Sequence, residues 1–303
     1  MTTRCTMIAD ALEGSGGQMG CQSVSVVVLT HNEEANLALC LASVAGWTAA
    51  TFIVDSGSTD RTVEIAARYG AKVVEHRFES HAKQWAWALG NLPLTTEWVL
   101  ALDADQRVTP GLATEISSLH STALEGIDGL YLNRRQIFRG RWIRHGGYYP
   151  KYLLKLFRRT SVRTDARDLV DHHFYVTGRT AKLRHDLIEA NQKEDDISFW
   201  IEKHNRYARL LAAEELDRRR PAAGAPMKSV WFGTPDQRTL ALKRVWLRLP
   251  LYVRPLLYFF YRYFLRLGFL DGKQGAIFHF LQAFWFRLLV DINLDEIRYS
   301  IHQ

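Results

Sequence analysis

Three cysteines in 303 residues are too few to form a disulfide framework. Cys5, Cys21 and Cys40 make an odd count and their spacings fit no metal pattern, so they read as reduced thiols in a cytosolic chain. Cys40 lies in an apolar helical run, where cysteine behaves as a small core residue rather than a nucleophile. Acidic residues are also short: 32 Asp and Glu stand against 39 Lys and Arg, for a formal net charge of +7. That excess favours anionic partners such as nucleotide phosphates, acidic lipids or nucleic acid. No groove-reading motif accompanies it, so no nucleic-acid partner is expected. In the last third of the chain no uncharged run reaches the roughly 18 apolar residues of a spanning helix; the longest there is Gln274 to Phe286. No apolar stretch near the start resembles a secretory signal, and residues 1–22, small, polar and Gly-rich, read as a flexible leader. No internal repeat is visible. Hydrophobic residues are not lacking: at 47% they suffice for a sizeable core, which excludes disorder as the main state.

The first half alternates strand and helix signals. Ser25 to Thr30 is a β-branched apolar run and predicts a buried strand. From Glu33 to Val44, the residues Leu37, Cys40, Leu41 and Val44 share one helical face. Thr51 to Val54 is the next strand, and Ser58, Thr59 or Asp60 can cap a helix running to Tyr69. Gly70 ends it, Ala71 to Glu75 makes a third strand, His81 to Leu89 a helix and Trp98 to Leu102 a fourth strand. Such alternation predicts an α/β fold with a mostly parallel sheet flanked by helices.

Beyond Tyr131 the pattern changes. Short strand-like pieces, Tyr152 to Phe157 and His173 to Thr177, are punctuated by Gly146-Gly147 and Gly178. Phe199 to Leu216 reads as a helix. The stretch 218–226, three arginines followed by Pro, Ala and Gly, marks a linker, placed at 218–237. The expected organisation is thus a catalytic domain over 23–217, that linker, and a C-terminal segment over 238–303. Between Arg238 and Arg287 there are nine Lys or Arg, one acidic residue (Asp271) and fourteen aromatics. Arg254, Tyr258, Arg262 and Arg266 recur every fourth position as a polar stripe on an otherwise apolar helix. A wide apolar face with a cationic stripe predicts an amphipathic helix lying in a membrane interface. The alternative is a basic helix packed on the catalytic domain with its arginines solvated, and the tail could also form a homo-oligomer interface.

Three strand ends carry candidate chemistry. Asp103-Ala104-Asp105 directly follows a buried strand, and open α/β sheets bind ligands at the carboxyl ends of their strands. Two carboxylates one residue apart can reach the same side, as a hard divalent cation bridging two phosphates requires. Asp55, followed by Ser56-Gly57-Ser58-Thr59-Asp60, could accept from a nucleobase N–H or merely organise a turn. Thr30-His31-Asn32-Glu33 closes the first strand and leads into a helix, which suits nucleotide contact, although His31 could be a solvated loop residue. Arg139, Arg141, Arg144 and Lys151 could grip an acceptor diphosphate or form a solvated basic face. Trp200, Lys203, His204 and Tyr207 recur at helical spacing, as core packing with polar tips or as acceptor contacts.

The segments SVVVLTHNEE, FIVDSGSTDRT and EWVLALDADQ, in that order and spacing, resemble the family 2 glycosyltransferases with the GT-A fold. The closest resemblance is to bacterial lipopolysaccharide-core β-glucosyltransferases and exopolysaccharide glycosyltransferases. It extends through HDLIEANQKEDDISFWIEKHNRYA and GFLDGKQGAIFHFLQAFWFRLL, and so covers roughly Ser23 to Leu289. The resemblance implies that Asp55 binds the base, usually uracil. It implies that Thr30, Asn32 and Glu33 line the nucleotide pocket, and that Gln84 sits near the donor phosphates or sugar. Asp103 would lie near the ribose or metal and Asp105 would coordinate the metal, Mg2+ or Mn2+. Transfer would invert the anomeric carbon in one displacement, which needs a general base. Two departures stand out. Relatives usually continue Asp-Ala-Asp with Glu, whereas Gln106 stands here, removing one acidic group near the donor. Where relatives carry an acidic residue after the short strands, this chain reads Val170-Asp171-His172-His173. Asp171 is the first choice as base, His172 the second and Glu189 the third.

The expectation is therefore an inverting hexosyltransferase using a nucleotide-diphosphate sugar, UDP-linked, and a lipid-linked, lipopolysaccharide or exopolysaccharide acceptor. It would work peripherally at the cytoplasmic face of a bacterial inner membrane. The rivals are a polyprenyl-phosphate glycosyltransferase, against which the Gly268–Gly272 stretch weighs, and a non-catalytic nucleotide-sugar-binding membrane-associated protein.

Overall fold

The computed structural model describes residues 6–7, 24–165, 173–218 and 230–301. The leader, apart from Thr6 and Met7, and most of the linker lie outside the described residues. The chain divides into two compact units. The first runs to residue 134 and adds 152–165 and 173–191; the second holds 135–151 and everything from 192 onward.

The first unit is built on β1 (Val24–Thr30), α1 (Leu37–Val44), β2 (Ala50–Asp55), α2 (Thr62–Arg68), β3 (Lys72–Glu75), α3 (His81–Asn91) and β4 (Trp98–Asp103). These are the elements expected from the periodicity, shifted by a residue or two at their ends, except that α1 begins at Leu37 rather than Glu33. Strands β3, β2, β1 and β4 lie side by side in that order and all run parallel. The sequence of β1 explains its central place. Val24, Val26 and Val28 enter one apolar layer with Leu37, Leu41, Leu100 and Leu102, while Val27 enters the opposite layer with Phe52, Trp85 and Val99. A strand buried on both faces needs an unbroken β-branched run rather than alternation. Each such aliphatic side chain contributes roughly 1.5–3 kcal/mol by leaving water.

The sheet then continues in a way the sequence did not announce. After β5 (Gln106–Val108) and α4 (Pro110–Ser117) come a twelve-residue strand, β6 (Ile127–Phe138), then β7 (Tyr152–Arg158), β8 (Val162–Thr164), β9 (Phe174–Val176) and the eleven-residue β10 (Arg179–Glu189). β7 pairs antiparallel with β4 and with β6, and β10 lies beyond β6. β5 pairs antiparallel with the end of β10, placing Gln106 opposite Glu189. The result is one mixed sheet with a parallel half and an antiparallel half, flanked by helices, while β8 and β9 pair antiparallel with each other as a separate two-stranded sheet.

In the second unit, β6 ends in a tight hairpin. Arg139 and Gly140 take φ values of 49° and 72° between the paired residues Phe138 and Arg141, the left-handed geometry that two-residue hairpin loops need. The unit is otherwise helical: α5 (Ile197–Arg218), α6 (Pro235–Trp246), α7 (Val253–Phe260), α8 (Gly272–His279) and α9 (Phe286–Ile301), with π-helical turns at Tyr261–Leu265 and Phe280–Trp285. Two expectations change here. α5, assigned from sequence to the catalytic domain, shares an apolar cluster with the C-terminal helices through Trp200, Ala208, Phe286, Val290 and Leu294. Within it, His204 stacks on Trp200 at 3.5 Å between ring centroids, which is the core-packing alternative for that group.

The second change concerns the arginine stripe. Arg254 is fully buried: its Nε donates to Asp291 at 2.7 Å, an Nη donates to Glu215 at 2.8 Å, and the guanidinium lies over Trp246. Arg262 donates to the Gly146 carbonyl and to the Tyr258 hydroxyl, and stacks on Tyr148. The stripe is therefore neither lipid-facing nor solvated over most of its length, and only Arg266 is exposed. Counter-charges more than thirty positions away in sequence decide this, and no helical periodicity reveals them.

Gly268–Ser300 forms a 33-residue helical stretch, apolar and long enough by composition to cross a membrane despite its scattered charges, but 44% of its most apolar window is buried in the protein. Its polar side chains Asp271, His279 and Asp291 are all buried. The motif around Gly268 and Asp271 organises the interior. Asp271 accepts from the His145 backbone N–H at 2.9 Å and meets its ring Nδ1 at 2.7 Å. His279 fills a slot so close to Gly146 and Gly268 that a methyl group on either would strike its ring. Burial, followed by the cation Arg262 and by His145 against an opposing Asp271, lowers its pKa to about 4 and keeps it neutral.

Candidate active site

The register of the parallel strands assembles the candidate site. Thr30 at the end of β1 pairs with Asp55 at the end of β2, and Leu29 pairs with Asp103 at the end of β4. Three polar loops therefore leave the same edge of the sheet side by side. The crevice outside parallel strand ends is where open α/β sheets take ligands.

The Thr30 and Asp55 loops are sewn together. Asp55 is buried, and its Oδ1 accepts from the Thr30 hydroxyl at 2.8 Å and the Ser58 hydroxyl at 2.6 Å. Its Oδ2 accepts from the backbone N–H groups of Gly57 at 3.0 Å and Ser58 at 2.7 Å. Gly57 makes this wrap possible by adopting φ of 80°, a conformation that side-chain-bearing residues rarely take. Asn32, at φ of 53°, accepts from the Thr59 N–H at 2.8 Å, while its own N–H donates to the Ser58 hydroxyl at 2.8 Å. The Glu33 N–H donates to the Thr62 hydroxyl at 2.7 Å. Asp60 accepts from the Thr62 N–H at 3.0 Å and so caps the start of α2. His31 is exposed, with its ring Nδ1 3.2 Å from the Ser56 carbonyl. In this arrangement Asp55 is a keystone of the loop wall, and a nucleobase N–H would have to share or displace one of four existing donors.

Gln84, from α3, supports that wall from beneath. It is buried, and its amide nitrogen donates to the Ser56 hydroxyl at 3.1 Å and the His76 carbonyl at 3.0 Å, while its oxygen meets His76 Nδ1 at 2.7 Å. The sequence placed Gln84 near a ligand; the structure shows it holding Ser56.

The third loop carries Asp103 and Asp105, both half-buried. Lys155 of β7, 5% exposed, donates to Asp103 Oδ2 at 2.8 Å. A cation already sits against one carboxylate of the pair, a feature the sequence gave no means to see because β7 is antiparallel and distant in the chain. Cys40 is buried beneath the same loop, where burial, then the Asp105 and Asp103 charges, push its thiol pKa far upward. It is inert, as expected of a core cysteine.

Gln106 explains itself in three dimensions. It is 1% exposed, its oxygen accepting from the Asp103 N–H at 3.1 Å and its nitrogen donating to Glu189 Oε2 at 2.8 Å. Arg134 donates to the other Glu189 oxygen at 2.8 Å. The acidic group missing at position 106 is thus met by a carboxylate from the end of β10, and the amide is the residue that can bridge an N–H donor and a carboxylate acceptor. Glu189 is also the end of a strut: the next residue, Ala190, donates its N–H to the Asp105 carbonyl at 3.0 Å, and Asn191 accepts from Asn36 at 3.1 Å. Gln106→Glu would set two carboxylates face to face and leave the Asp103 N–H dependent on a charged, repelled partner. The expected result at neutral pH is a loss of roughly 1–3 kcal/mol in a urea unfolding titration, with Gln106→Ala costing less.

Of the residues singled out from sequence, Thr30, Asn32, Glu33, Asp55, Gln84, Asp103, Asp105 and Glu189 all belong to the first unit. Asp171 and His172, the first two choices as base, lie outside the described residues. Among the described residues no group of three His, Cys, Asp or Glu side chains forms a metal cage. One or two carboxylates with open positions nonetheless fit a magnesium-type ion, which keeps waters and takes its remaining ligands from substrate phosphates.

Comparison with known proteins gives a consistent picture. The family profile described as Glycosyl transferase family 2 matches residues 25–185, more than half of the chain. An uncharacterized glycosyltransferase of Rickettsia typhi is 34% identical over 101 residues, 33% of this chain and 34% of that protein. An uncharacterized glycosyltransferase of Mycobacterium tuberculosis is 34% identical over 125 residues, 41% of this chain and 54% of that protein. The matched segment therefore spans about a third to a half of the length of these relatives. Among solved structures, residues 1–349 of TarS from S. aureus align over 93% of this chain and 92% of that one, at 17% identity and a TM-score of 0.44. Glucosyl-3-phosphoglycerate synthase from Mycobacterium tuberculosis, solved with Mn2+, UDP-glucose and phosphoglyceric acid, aligns over 38% of this chain and 44% of that one, at 24% identity and a TM-score of 0.31.

Proposed function

This chain belongs to glycosyl transferase family 2 and has its mixed α/β GT-A fold, and from that premise we propose that it transfers a hexose from a UDP-sugar, with inversion, to a lipid-linked or polysaccharide acceptor at a membrane surface. The observation that carries the reading is the register that sets Thr30, Asp55 and the Asp103 loop on adjacent parallel strand ends.

The geometry suits a nucleotide-diphosphate donor. The loop wall around Asp55 and Asn32 presents hydroxyls and carboxylate oxygens against which a base and ribose can exchange hydrogen bonds. Asp105, with Asp103 beside it, would hold Mg2+ or Mn2+ together with the donor phosphates. The cation, when bound, would stabilise the charge of the departing diphosphate. Lys155 neutralises Asp103 and so moderates the negative charge that a diphosphate meets on approach. No covalent intermediate on the protein is required: the acceptor hydroxyl attacks the anomeric carbon as the bond to the diphosphate breaks, and its proton passes to a general base. Glu189 already has one oxygen bound by Gln106 and the other by Arg134, so both are engaged within the fold. The proton therefore goes to Asp171 in this reading, with His172 as the second choice.

The test is a panel of nucleotide sugars offered to the protein with membrane-extracted lipid acceptors, read by product mass. A hexose added from a UDP-sugar supports the proposal. Binding of UDP-sugars by calorimetry without any product across the panel would favour a nucleotide-sugar-binding protein instead.

A further inference from the structure

The surface of the second unit carries an apolar face that is locked outward. Val253, Leu256, Leu257, Phe260, Phe264 and Leu265 are each 46–64% exposed. Their spacing of three and four residues puts most of them on one side of α7 and its π-helical extension. The helix cannot roll to hide them. Its opposite side holds Arg254, whose guanidinium is buried between Asp291 and Glu215, and rotation would leave those carboxylates buried without their cation. An exposed apolar face maintained against that constraint marks an interaction surface.

The surrounding charge identifies the partner. Between Arg238 and Arg287 the exposed charged side chains are Arg238, Arg244, Arg248, Arg266 and Lys273, all cationic; the exposed acid Asp295 of α9 meets only the Tyr252 end of α7, where it accepts from the Tyr252 hydroxyl. The one acid of that stretch, Asp271, is 2% exposed and bonded to His145. A second copy of this chain would bring cations against cations. An acyl layer beneath anionic headgroups complements both the apolar face and its cations. We propose that this face of α7 and the following turn seats in the interface of an anionic bilayer, inserting Phe260, Phe264 and Leu265 while exposed arginines meet lipid phosphates. Arg254 and Arg262 of the stripe read from the sequence take no part, since they form the internal counterface, and only Arg266 of it is left to meet lipid. The inference rests on the membrane-surface reading above and names the lipid class and the residues that contact it.

The experiment is flotation of the full chain with vesicles of phosphatidylcholine alone or mixed with phosphatidylglycerol, for the wild type, Phe260→Ser/Leu265→Ser and Arg244→Ser/Arg248→Ser. All four positions are exposed, so both variants fold. A UDP titration by calorimetry without vesicles serves as the control. The wild type should float with the mixed vesicles and far less with phosphatidylcholine alone. The Phe260/Leu265 variant should lose about tenfold or more in vesicle affinity, and the arginine variant should lose the preference for anionic lipid, with UDP binding unchanged in both. Phe260→Trp should shift its fluorescence to the blue on mixed vesicles. Wild-type flotation that survives Phe260→Ser/Leu265→Ser undiminished overturns this surface while leaving membrane association standing. Absence of any flotation overturns both. A concentration-dependent dimer dissolved by Phe260→Ser/Leu265→Ser would assign the face to a second copy and also overturn the proposal. Vesicle binding without UDP binding would sink the transferase reading and leave the docking surface intact.

Discussion

Asp105→Ala is expected to lower turnover on the order of 100- to 1,000-fold, about 3–4 kcal/mol in the barrier. The reason is local. The Asp105 backbone carbonyl accepts from Ala190, and alanine keeps that bond. In the proposed mechanism the Asp105 side chain would hold the cation with the donor phosphates. Asp103→Ala should behave differently, because Lys155 would be left buried without the carboxylate it donates to. That variant should lose stability as well as activity. The two aspartates of one short motif are thus separated by two measurements, steady-state turnover and urea unfolding, with Mn2+ affinity in the presence of UDP as a third readout. Undiminished transfer by Asp105→Ala would remove the metal site from the mechanism.

The second large effect belongs to the second unit. Asp291→Ala should destabilise the second unit by roughly 3–5 kcal/mol, because it strips the Arg254 guanidinium of a partner in a place water does not reach. It also removes the acceptor for the Tyr252 N–H, bonded at 2.8 Å. Asp291→Asn keeps one acceptor oxygen, for the Tyr252 N–H or for the guanidinium but not for both, so it should cost less than alanine while still destabilising the unit. Tryptophan fluorescence during urea unfolding measures both, since Trp246 lies against Arg254 and Trp200 and Trp285 belong to the same unit. Equal midpoints for Asp291→Ala and wild type would show that the buried triad contributes nothing to holding α7 in place, and would weaken the argument that its apolar face is locked outward.

Much of the candidate site was legible in the sequence because its signals are local. A strand buried on both faces needs a run such as VSVVVLT, and the polar residues that interrupt such runs mark where the chain leaves the sheet. The ends of β1, β2 and β4 fell within a residue or two of the expected positions, so Thr30, Asp55 and Asp103 could be named in advance. Their combination in order was also what carried the family resemblance, which the profile match over residues 25–185 bears out.

The antiparallel half of the sheet was far less legible. β6 and β10 carry charged residues along much of their length, NRRQ and RHD among them, and read as interrupted pieces. Those charges are accommodated only because partners arrive from elsewhere: Arg134 meets Glu189, and Asn133 donates to Asp186 at 2.8 Å. The same pairing gave Gln106 its meaning. Read along the chain it was an acid lost; in the fold it is the amide between a backbone N–H and a carboxylate supplied 83 positions later.

What the sequence determined by itself is therefore the parallel α/β framework, its three polar strand ends and the family, since short-range hydrophobic pattern and motif spacing are enough to specify them. Tertiary structure alone decided that Lys155 sits against Asp103, that Glu189 answers Gln106, and that Arg254 of α7 faces inward with the apolar side out. Each of those depends on a charge finding its counter-charge across the fold. Amphipathic periodicity states that a helix has two faces, and the energy of pairing or stranding a buried ion chooses which one is inside.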